Sequence, residues 1–272
     1  MTTKSLGRIV ENMADADYRA AAGINISALK RIGESPQKYK FALTHKSKPT
    51  PAQVFGTLLH AKCLEPNREL YVVKPEGMTF VTKEGKAWRA EQTLPILTQE
   101  EDDTISGCCN SVLSNKLVAG ILSQAKTEVT VFKETEFGTL KGRIDILASG
   151  PDGYTVYDLK TTESCDPNAF RASIEKWGYG VQAAFYADLI GVDEFRFIAV
   201  EKEPPFAINF FVLGKEELDF YRVIYMDYLK VLHECTQADN WPGYGDYFKP
   251  LTTSKWKYNN SELHAESLAA RA

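Results

Sequence analysis

Leu140-Lys141-Gly142-Arg143-Ile144-Asp145-Ile146-Leu147 and, a few residues on, Tyr154-Thr155-Val156-Tyr157-Asp158-Leu159-Lys160-Thr161-Thr162 are the runs on which the fold turns. Both are alternating or rich in β-branched residues, and Ser149-Gly150-Pro151-Asp152-Gly153 between them is turn-forming, so they read as an antiparallel pair. Glu128-Val129-Thr130-Val131-Phe132 precedes them across the short connector Glu134-Thr135-Glu136-Phe137-Gly138, which extends the pair to a three-stranded meander. Strict alternation sends Lys141, Arg143 and Asp145 to one face and Ile144 and Ile146 to the other. In the last strand Asp158 and Lys160 share a face while Tyr157 and Leu159 point away. With these strands as neighbours, two carboxylates and an ammonium meet at one end of a sheet. Unpaired charges in a half-buried place cost several kcal/mol by order of magnitude, and a divalent cation would relieve the repulsion. Oxygen ligands without clustered cysteines favour Mg²⁺, with Mn²⁺ as substitute, over zinc. Lys160 beside the cation is placed to orient or deprotonate a water and to neutralise charge on a phosphate. The alternative is a surface salt bridge among Asp158, Lys160 and Arg143; the apolar strand, Asp145 on a matching face and Thr161-Thr162 weigh against it.

Outward from the meander the period changes. Ile26, Leu29 and Ile32, then Tyr39, Phe41 and Leu43, predict two short helices, with Ser27 capping the first and Ser35-Pro36 starting the second. Phe55, Leu58, Leu59 and Cys63 predict a helix over 53–64, stopped by Pro66. After the apolar piece Tyr71-Val72-Val73, residues 83–92 and 99–122 read as helical. Beyond the meander the pattern predicts a helix over 180–190, strands near 194–200 and 207–212, and a helix over 215–237. The opening up to about Asn25 reads as a frayed arm and 257–272 as a polar tail, leaving one domain over 26–256. The fold class expected is mixed α/β: a sheet flanked by helices, with helical decoration at its front.

The composition sets limits on function. Of 272 residues, 44% are hydrophobic and 25% charged, an ordinary globular balance at a length that one elaborated core can serve. A net charge of −4 excludes a protein that coats nucleic acid by bulk attraction, so any basic footprint must be local. Five cysteines, an odd number, and a polar opening with no apolar leader argue against a disulfide framework, and no apolar run reaches the length of a membrane span. A cytoplasmic protein is expected.

Taken together, Glu128, Gly142-Arg143-Ile144-Asp145, Asp158-Leu159-Lys160-Thr161-Thr162 and Gln182-x-x-x-Tyr186 resemble the PD-(D/E)XK nuclease superfamily, whose core is restriction-endonuclease-like. More narrowly they are similar to its RecB-like branch and to the exonuclease VIII (RecE-type) phage recombination nucleases. Gly56-Thr57-Leu58-Leu59-His60 resembles the helix that supplies a metal-binding histidine in that branch. Ser27-Ala28-Leu29-Lys30 with Ser35-Pro36-Gln37-Lys38-Tyr39 resembles the opening motif of the exonuclease VIII type, and Trp241-Pro242-Gly243-Tyr244 its closing one. The resemblance runs in order over about residues 25 to 256. Ile144 stands where the superfamily's name has proline and aspartate before the first acid, a departure the branch tolerates. Some relatives hold an iron–sulfur cluster on four cysteines; here Cys235 alone follows the core motifs, so no cluster is expected. Cys108-Cys109 reads as small apolar filler in a helix.

The resemblance implies a metal-dependent exodeoxyribonuclease in which His60, Glu128, Asp145 and Asp158 hold one or two Mg²⁺ ions. Asp145, Asp158, Glu128 and Lys160 would be the catalytic set. It implies a duplex end as substrate, digested 5′→3′ with 5′-phosphate products to leave a 3′ single strand for a RecT-like annealing protein, and a homo-oligomer, in relatives a ring. Gln182 and Tyr186, one helical turn apart, would contact the substrate strand and position Lys160. Glu134 and Glu136 compete with Glu128 for its role. Arg171 and Lys176, beside Trp177 and Tyr179, are candidates for the phosphate backbone, with Trp177 for base stacking. Lys83, Lys86 and Arg89 around Trp88 form a stripe that either touches DNA or solvates a helix. The rival readings are a RecB-like nuclease of other polarity or an endonuclease, and a DNA-binding or assembly module without catalysis.

Overall fold

The computed structural model describes residues 5–45, 48–65, 68–151 and 153–245. In chain order the front of the molecule holds β1 (Arg8–Val10), α1 (Asp15–Ala20), α2 (Ile26–Glu34), α3 (Pro36–Thr44) and α4 (Pro51–Leu64). Then come β2 (Val72–Val73), α5 (Lys83–Glu91), β3 (Ile96–Leu97), α6 (Gln99–Ser114) and α7 (Lys116–Leu122). The meander follows as β4 (Ala125–Thr135), β5 (Gly138–Gly150) and β6 (Gly153–Thr162). The chain continues through α8 (Pro167–Trp177), α9 (Tyr179–Ile190), β7 (Phe195–Glu201), β8 (Ile208–Leu213) and α10 (Lys215–Ala238). A six-stranded sheet in the order β1-β4-β5-β6-β7-β8 organises the rest, antiparallel throughout except for the parallel pair β6 and β7. Helices α8 and α9 form the crossover that this parallel pair requires. The mixed α/β class and the meander are as the sequence predicts; Asp152 and Pro66 lie outside the described residues.

Helices cover both faces of the sheet. On one, Leu29 of α2, Phe170 of α8, Ala183, Ala184, Phe185 and Leu189 of α9 and Leu229 of α10 pack against Val131, Ile144, Leu147, Val156, Phe195 and Phe197. On the other, Leu58 and Leu59 of α4, Ile105, Cys108 and Val112 of α6 and Val118 of α7 pack against Ile146, Tyr157, Leu159, Ile198 and Val200. Each fully buried Leu or Phe contributes about 1.5–3 kcal/mol, so these two layers hold the sheet rigid at its centre. Three alanines of α9, Ala183, Ala184 and Ala187, have no exposed surface and let this helix lie close on the sheet. Gly142 in β5 completes the fit: a Cβ there would stand 2.6 Å from Leu189 Cδ1 and 2.8 Å from Tyr186 Cε1.

Local signals account for most helix boundaries. Ser35 caps α3 with Pro36 in its first turn, and Thr50 and Gln53 form a capping box that starts α4 at Pro51, two residues earlier than the apolar spacing alone suggests. Asn25 rather than Ser27 caps α2, its side chain accepting the Ala28 N–H, because Ile26 is already inside the helix and buried. The stretch 99–122 divides into two helices at Asn115, whose carboxamide takes the amides of Leu117 and Val118 and restarts the chain in a new direction. Helix α8 had no counterpart in the hydrophobic pattern, although Asp166 followed by Pro167 is a capping signal that marks it.

Two expectations are corrected. The supposed frayed arm contributes the edge strand β1, paired with β4 at Arg8–Phe132, and α1, whose Tyr18 and Ala21 carbonyls hold the buried Lys141 ammonium. The compact unit closes at Trp241 and the last described residues are Pro242 to Gly245, so the domain end expected at 256 and the predicted tail 257–272 lie outside the described residues. Strict alternation along β5 also fails at its centre. Ile144 and Ile146 belong to opposite layers, and so do Val129 and Ala125 on β4, which lie on either side of Glu128 and would share a face in a uniform strand. The cause is Glu128 itself, at φ 51°, a left-handed conformation that costs a non-glycine residue of order 1 kcal/mol and rotates β4 by half a pleat. Pairing carries β5 with it, since Thr127–Ile146 and Val129–Ile144 are partners on either side.

Candidate active site

The break in alternation makes the site. Glu128 and Asp145 fall opposite one another between the Thr127–Ile146 and Val129–Ile144 pairs. The β5–β6 ladder ends at Ile146–Tyr157, so Asp145 and Asp158 are the first residues beyond it, where the strands part. Asp145 Oδ2 fills the opening by accepting the Leu159 amide at 3.0 Å. His60 reaches the same oxygen from α4, its Nδ1 3.3 Å away. This histidine sits at the margin of the helix, partly exposed, while Leu58, Leu59 and Cys63 bury the apolar side. One ligand atom each from His60, Glu128 and Asp145 lie within 4.8 Å of one another.

Asp158 and Lys160 stand beside this triad as a buried ion pair. Gln182 of α9 donates to Asp158 Oδ1 at 3.2 Å, and the Tyr179 ring lies 4.9 Å from Lys160 Nζ. Tyr186, one turn after Gln182, is buried against Gly142; burial pushes its phenol well above the usual range, and Gln182 hydrogen-bonds it. Asp158, also expected among the metal ligands, is not one of the three converging donors; it lies in the ion pair with Lys160 and accepts from Gln182.

The charges explain what is short. Glu128 is pushed up to about 8, first by burial and then by the carboxylates of Asp145 and Glu65, with Arg143 opposing. Burial alone would lower Lys160, but the Asp158 and Asp145 carboxylates outweigh it and hold the ammonium above its ordinary value. Burial raises Asp158 to about 6, a smaller rise than that of Glu128 because Lys160 opposes it. An imidazole and two carboxylates with too little positive charge, and with no thiolate among them, suit a hard divalent cation.

The remaining candidates separate by position. Glu134 accepts the Thr139 hydroxyl in the β4–β5 turn, at the far end of the ladder from Asp145, and Glu136 lies in the same turn. Arg143 does not join Asp158 and Lys160; its guanidinium binds Asp15 at 3.2 Å and the Met13 carbonyl at 3.0 Å. Arg171 is exposed on α8 with its guanidinium on Asn168, and Lys176 lies over the Trp177 ring. Both describe a basic surface on α8 rather than members of the cluster. On α5, Arg89 covers the Phe80 ring, which stacks on Trp88. Trp241 stacks on Tyr39 at 5.9 Å with Lys40 over its ring, so its motif and the opening one meet as packing. Sequence reasoning gave no role to Tyr179, placed by the glycine turn before α9, or to Lys30, quoted within the opening motif.

Among the described residues no helix is long and apolar enough to cross a membrane. No functionally curated protein matches the chain in sequence. A candidate exonuclease from Eubacterium rectale has a similar structure, with 14% identity, 89% of this chain and 97% of that one covered, and a TM-score of 0.56, which shows a shared fold. A phage-related exonuclease from Haemophilus somnus aligns at 13% identity over 85% of this chain and 91% of its own, with a TM-score of 0.41. Residues 25–249 match the family described as a PDDEXK-like domain of unknown function, DUF3799. That span contains His60, Glu128, Asp145, Asp158, Lys160, Gln182 and Tyr186, and the chain belongs to this PDDEXK-like family, with the nuclease fold its name denotes.

Proposed function

We propose that this chain is a divalent-metal-dependent exodeoxyribonuclease, with Mg²⁺ as the working ion and Mn²⁺ able to replace it. The observation that carries the reading is the convergence of His60, Glu128 and Asp145 donors within 4.8 Å beside the buried Asp158–Lys160 pair. A cation held by His60, Glu128 and Asp145 would lower the pKa of a water and offset charge on the phosphate. The chain's own groups do the rest. Lys160, kept charged by Asp158, donates to the attacked phosphate or orients the water, and its protonation argues for this role over proton abstraction. Gln182 holds Asp158, and through it the ammonium, while Tyr186 fixes the Gln182 side of α9 against β5. Asp158 would be a further oxygen ligand for the cation.

The resemblance to the exonuclease VIII type supports a linear duplex end as substrate and 5′→3′ digestion to 5′-mononucleotides. The remaining 3′ strand would pass to a RecT-like annealing protein, and the chain would work as a homo-oligomer in a bacterial or phage-infected cytoplasm. Exposed Trp177, with Arg171 and Lys176 on the same helix, supports contact with a strand at the entrance. The test is digestion of duplex labelled at one strand end, with Mg²⁺ or with chelator. Release of labelled nucleotide from the 5′ end, lost in Asp145→Ala and Lys160→Ala, is expected. Full activity in either variant would overturn the assignment, cutting of closed circles would make the protein an endonuclease, and binding of DNA without cleavage would make it a binding module.

A further inference from the structure

Lys30 belongs to the motif Ser27-Ala28-Leu29-Lys30, for which the proposed chemistry has no use. Its place is nonetheless closely built. Ile26, Leu29 and Ile32 bury one stripe of α2, and Gly33 lies so near α10 that a Cβ there would meet the Tyr228 ring at 2.4 Å. Seated in this way, α2 directs Lys30 to the corner between α8 and α9. There its Nζ donates to the Trp177 carbonyl at 2.9 Å. The next residue, Gly178, turns the chain at φ 64°, where a Cβ would press on Lys30 Cδ at 3.1 Å. Tyr179 follows, and its ring carries Lys160 on it.

Lys30, on Trp177 and Gly178, and Lys160, on Tyr179, therefore meet successive residues of the chain at the positive end of α9. Lys160 has Asp158 for a partner; Lys30 has no salt bridge to a carboxylate among the described residues, and one carbonyl leaves it with N–H groups to spare. Burial, then the charge of Lys160, hold Lys30 below the usual range, with Asp158 opposing. Two ammonium groups that repel one another are costly unless an anion joins them, and the polymer that Lys160 is proposed to act on carries a phosphate at every step.

We propose that Lys30 binds a backbone phosphate of the substrate strand next to the one attacked beside Lys160. This rests on the nuclease reading above. The competing account is structural: a lysine on a terminal carbonyl caps α8 and nothing more. The two accounts differ in what they predict for a strand with one uncharged link. Short duplexes carrying a single methylphosphonate at successive positions around the cleavage point are cut with Mg²⁺ by the wild type, Lys30→Met and Lys30→Arg. Binding of the same duplexes is followed by fluorescence anisotropy with Ca²⁺.

Lys30→Met is expected to lose about tenfold in kcat/KM, mainly through KM, the size of one charge-assisted hydrogen bond, and Lys30→Arg to recover most of it. One methylphosphonate position should slow the wild type by that same factor and leave Lys30→Met no slower than it already is. The thermal midpoint should change by no more than about a degree if the cap contributes only a few tenths of a kcal/mol. Equal cutting of natural duplex by wild type and Lys30→Met, or equal slowing of both at every methylphosphonate position, would overturn the proposal and leave Lys30 a helix cap. Failure of the wild type to cut any duplex would overturn the nuclease reading instead, and the anisotropy series would still decide for or against the phosphate contact.

Discussion

Two partly buried ionic clusters lie in this molecule, and their chemistry is opposite. In the first, Asp188 of α9 is gripped by Arg222 of α10 through two bonds of 2.6 and 2.7 Å, and the Tyr225 hydroxyl adds a third. Asp219 takes the other side of the same guanidinium, which hydrogen bonding to Asp188 holds above its ordinary range. Every charge there has a partner of opposite sign within the chain, and the cluster ties two helices together. In the second, Glu128 and Asp145 face each other with a partly exposed histidine, and burial with mutual repulsion pushes Glu128 up to about 8. A cluster that a fold completes for itself is cement, whereas one left short of positive charge waits for something from solution.

The contrast breaks most sharply under substitution. Asp145→Asn should lower nuclease kcat by about a thousandfold or more, the loss of one essential electrostatic group, with a thermal midpoint near that of the wild type. Arg222→Met should do the reverse. Removing one partner of a part-buried pair strands Asp188, at a cost of about 3 kcal/mol, so the midpoint should fall by roughly 6–12 °C while the folded fraction cuts DNA at the normal rate. Calorimetry together with single-turnover cleavage on both variants checks this. Equal effects of the two variants on both readouts would erase the distinction.

Glu128 gives the intermediate case, and its sign is unusual. A carboxyl raised from 4.5 to about 8 in the folded chain binds its proton more tightly than when unfolded. The stabilisation is thus fully present below about 4.5 and is lost as pH rises through about 8 in metal-free protein. Glu128→Gln removes that penalty. In chelator at pH 8.5 it should be more stable than the wild type by up to about 4–5 kcal/mol, with a gain of only a few tenths at pH 4.5. Added Mg²⁺ should raise the wild-type midpoint and leave the variant where it was. A variant that is less stable at pH 8.5, or that still responds to Mg²⁺, would remove Glu128 from the metal site.

How much of this was legible in the sequence follows the range of each signal. The meander, the pairing of Asp158 with Lys160 on one face, and Gln182 with Tyr186 on one helix are short-range periodicities, and each appears in the structure. His60 could be joined to acids 68 and 85 residues away only through a resemblance, because no spacing rule links a helix to a strand across such a gap. Alternation mis-sorted Ile144 against Ile146 because it assumes a uniform strand, and Glu128 departs from uniformity at φ 51°. Strand β1, three residues long, is held by pairing with β4 and carries no pattern of its own. The role of Lys30 depends on a corner made by Trp177 and Gly178, nearly 150 residues downstream, and is visible only in three dimensions.

The smallest expected effect tests whether the metal-poor cluster is also shaped for close approach. Gly56 lies in the interior of α4, one turn before His60 and on the same face. Unlike Gly33 and Gly142, which neighbouring rings require, Gly56 would meet nothing within 4 Å if it carried a Cβ, and its backbone is ordinary helix. Neither packing nor conformation accounts for glycine there, while the helix gives up about 1 kcal/mol relative to alanine. Gly56→Ala should therefore raise the thermal midpoint by about 2–4 °C. If the open space admits the sugar-phosphate backbone next to His60, the same variant should raise KM for duplex several-fold with little change in kcat. A stabilised variant with unchanged KM would mean that the substrate passes His60 elsewhere and that α4 serves the site through its histidine alone.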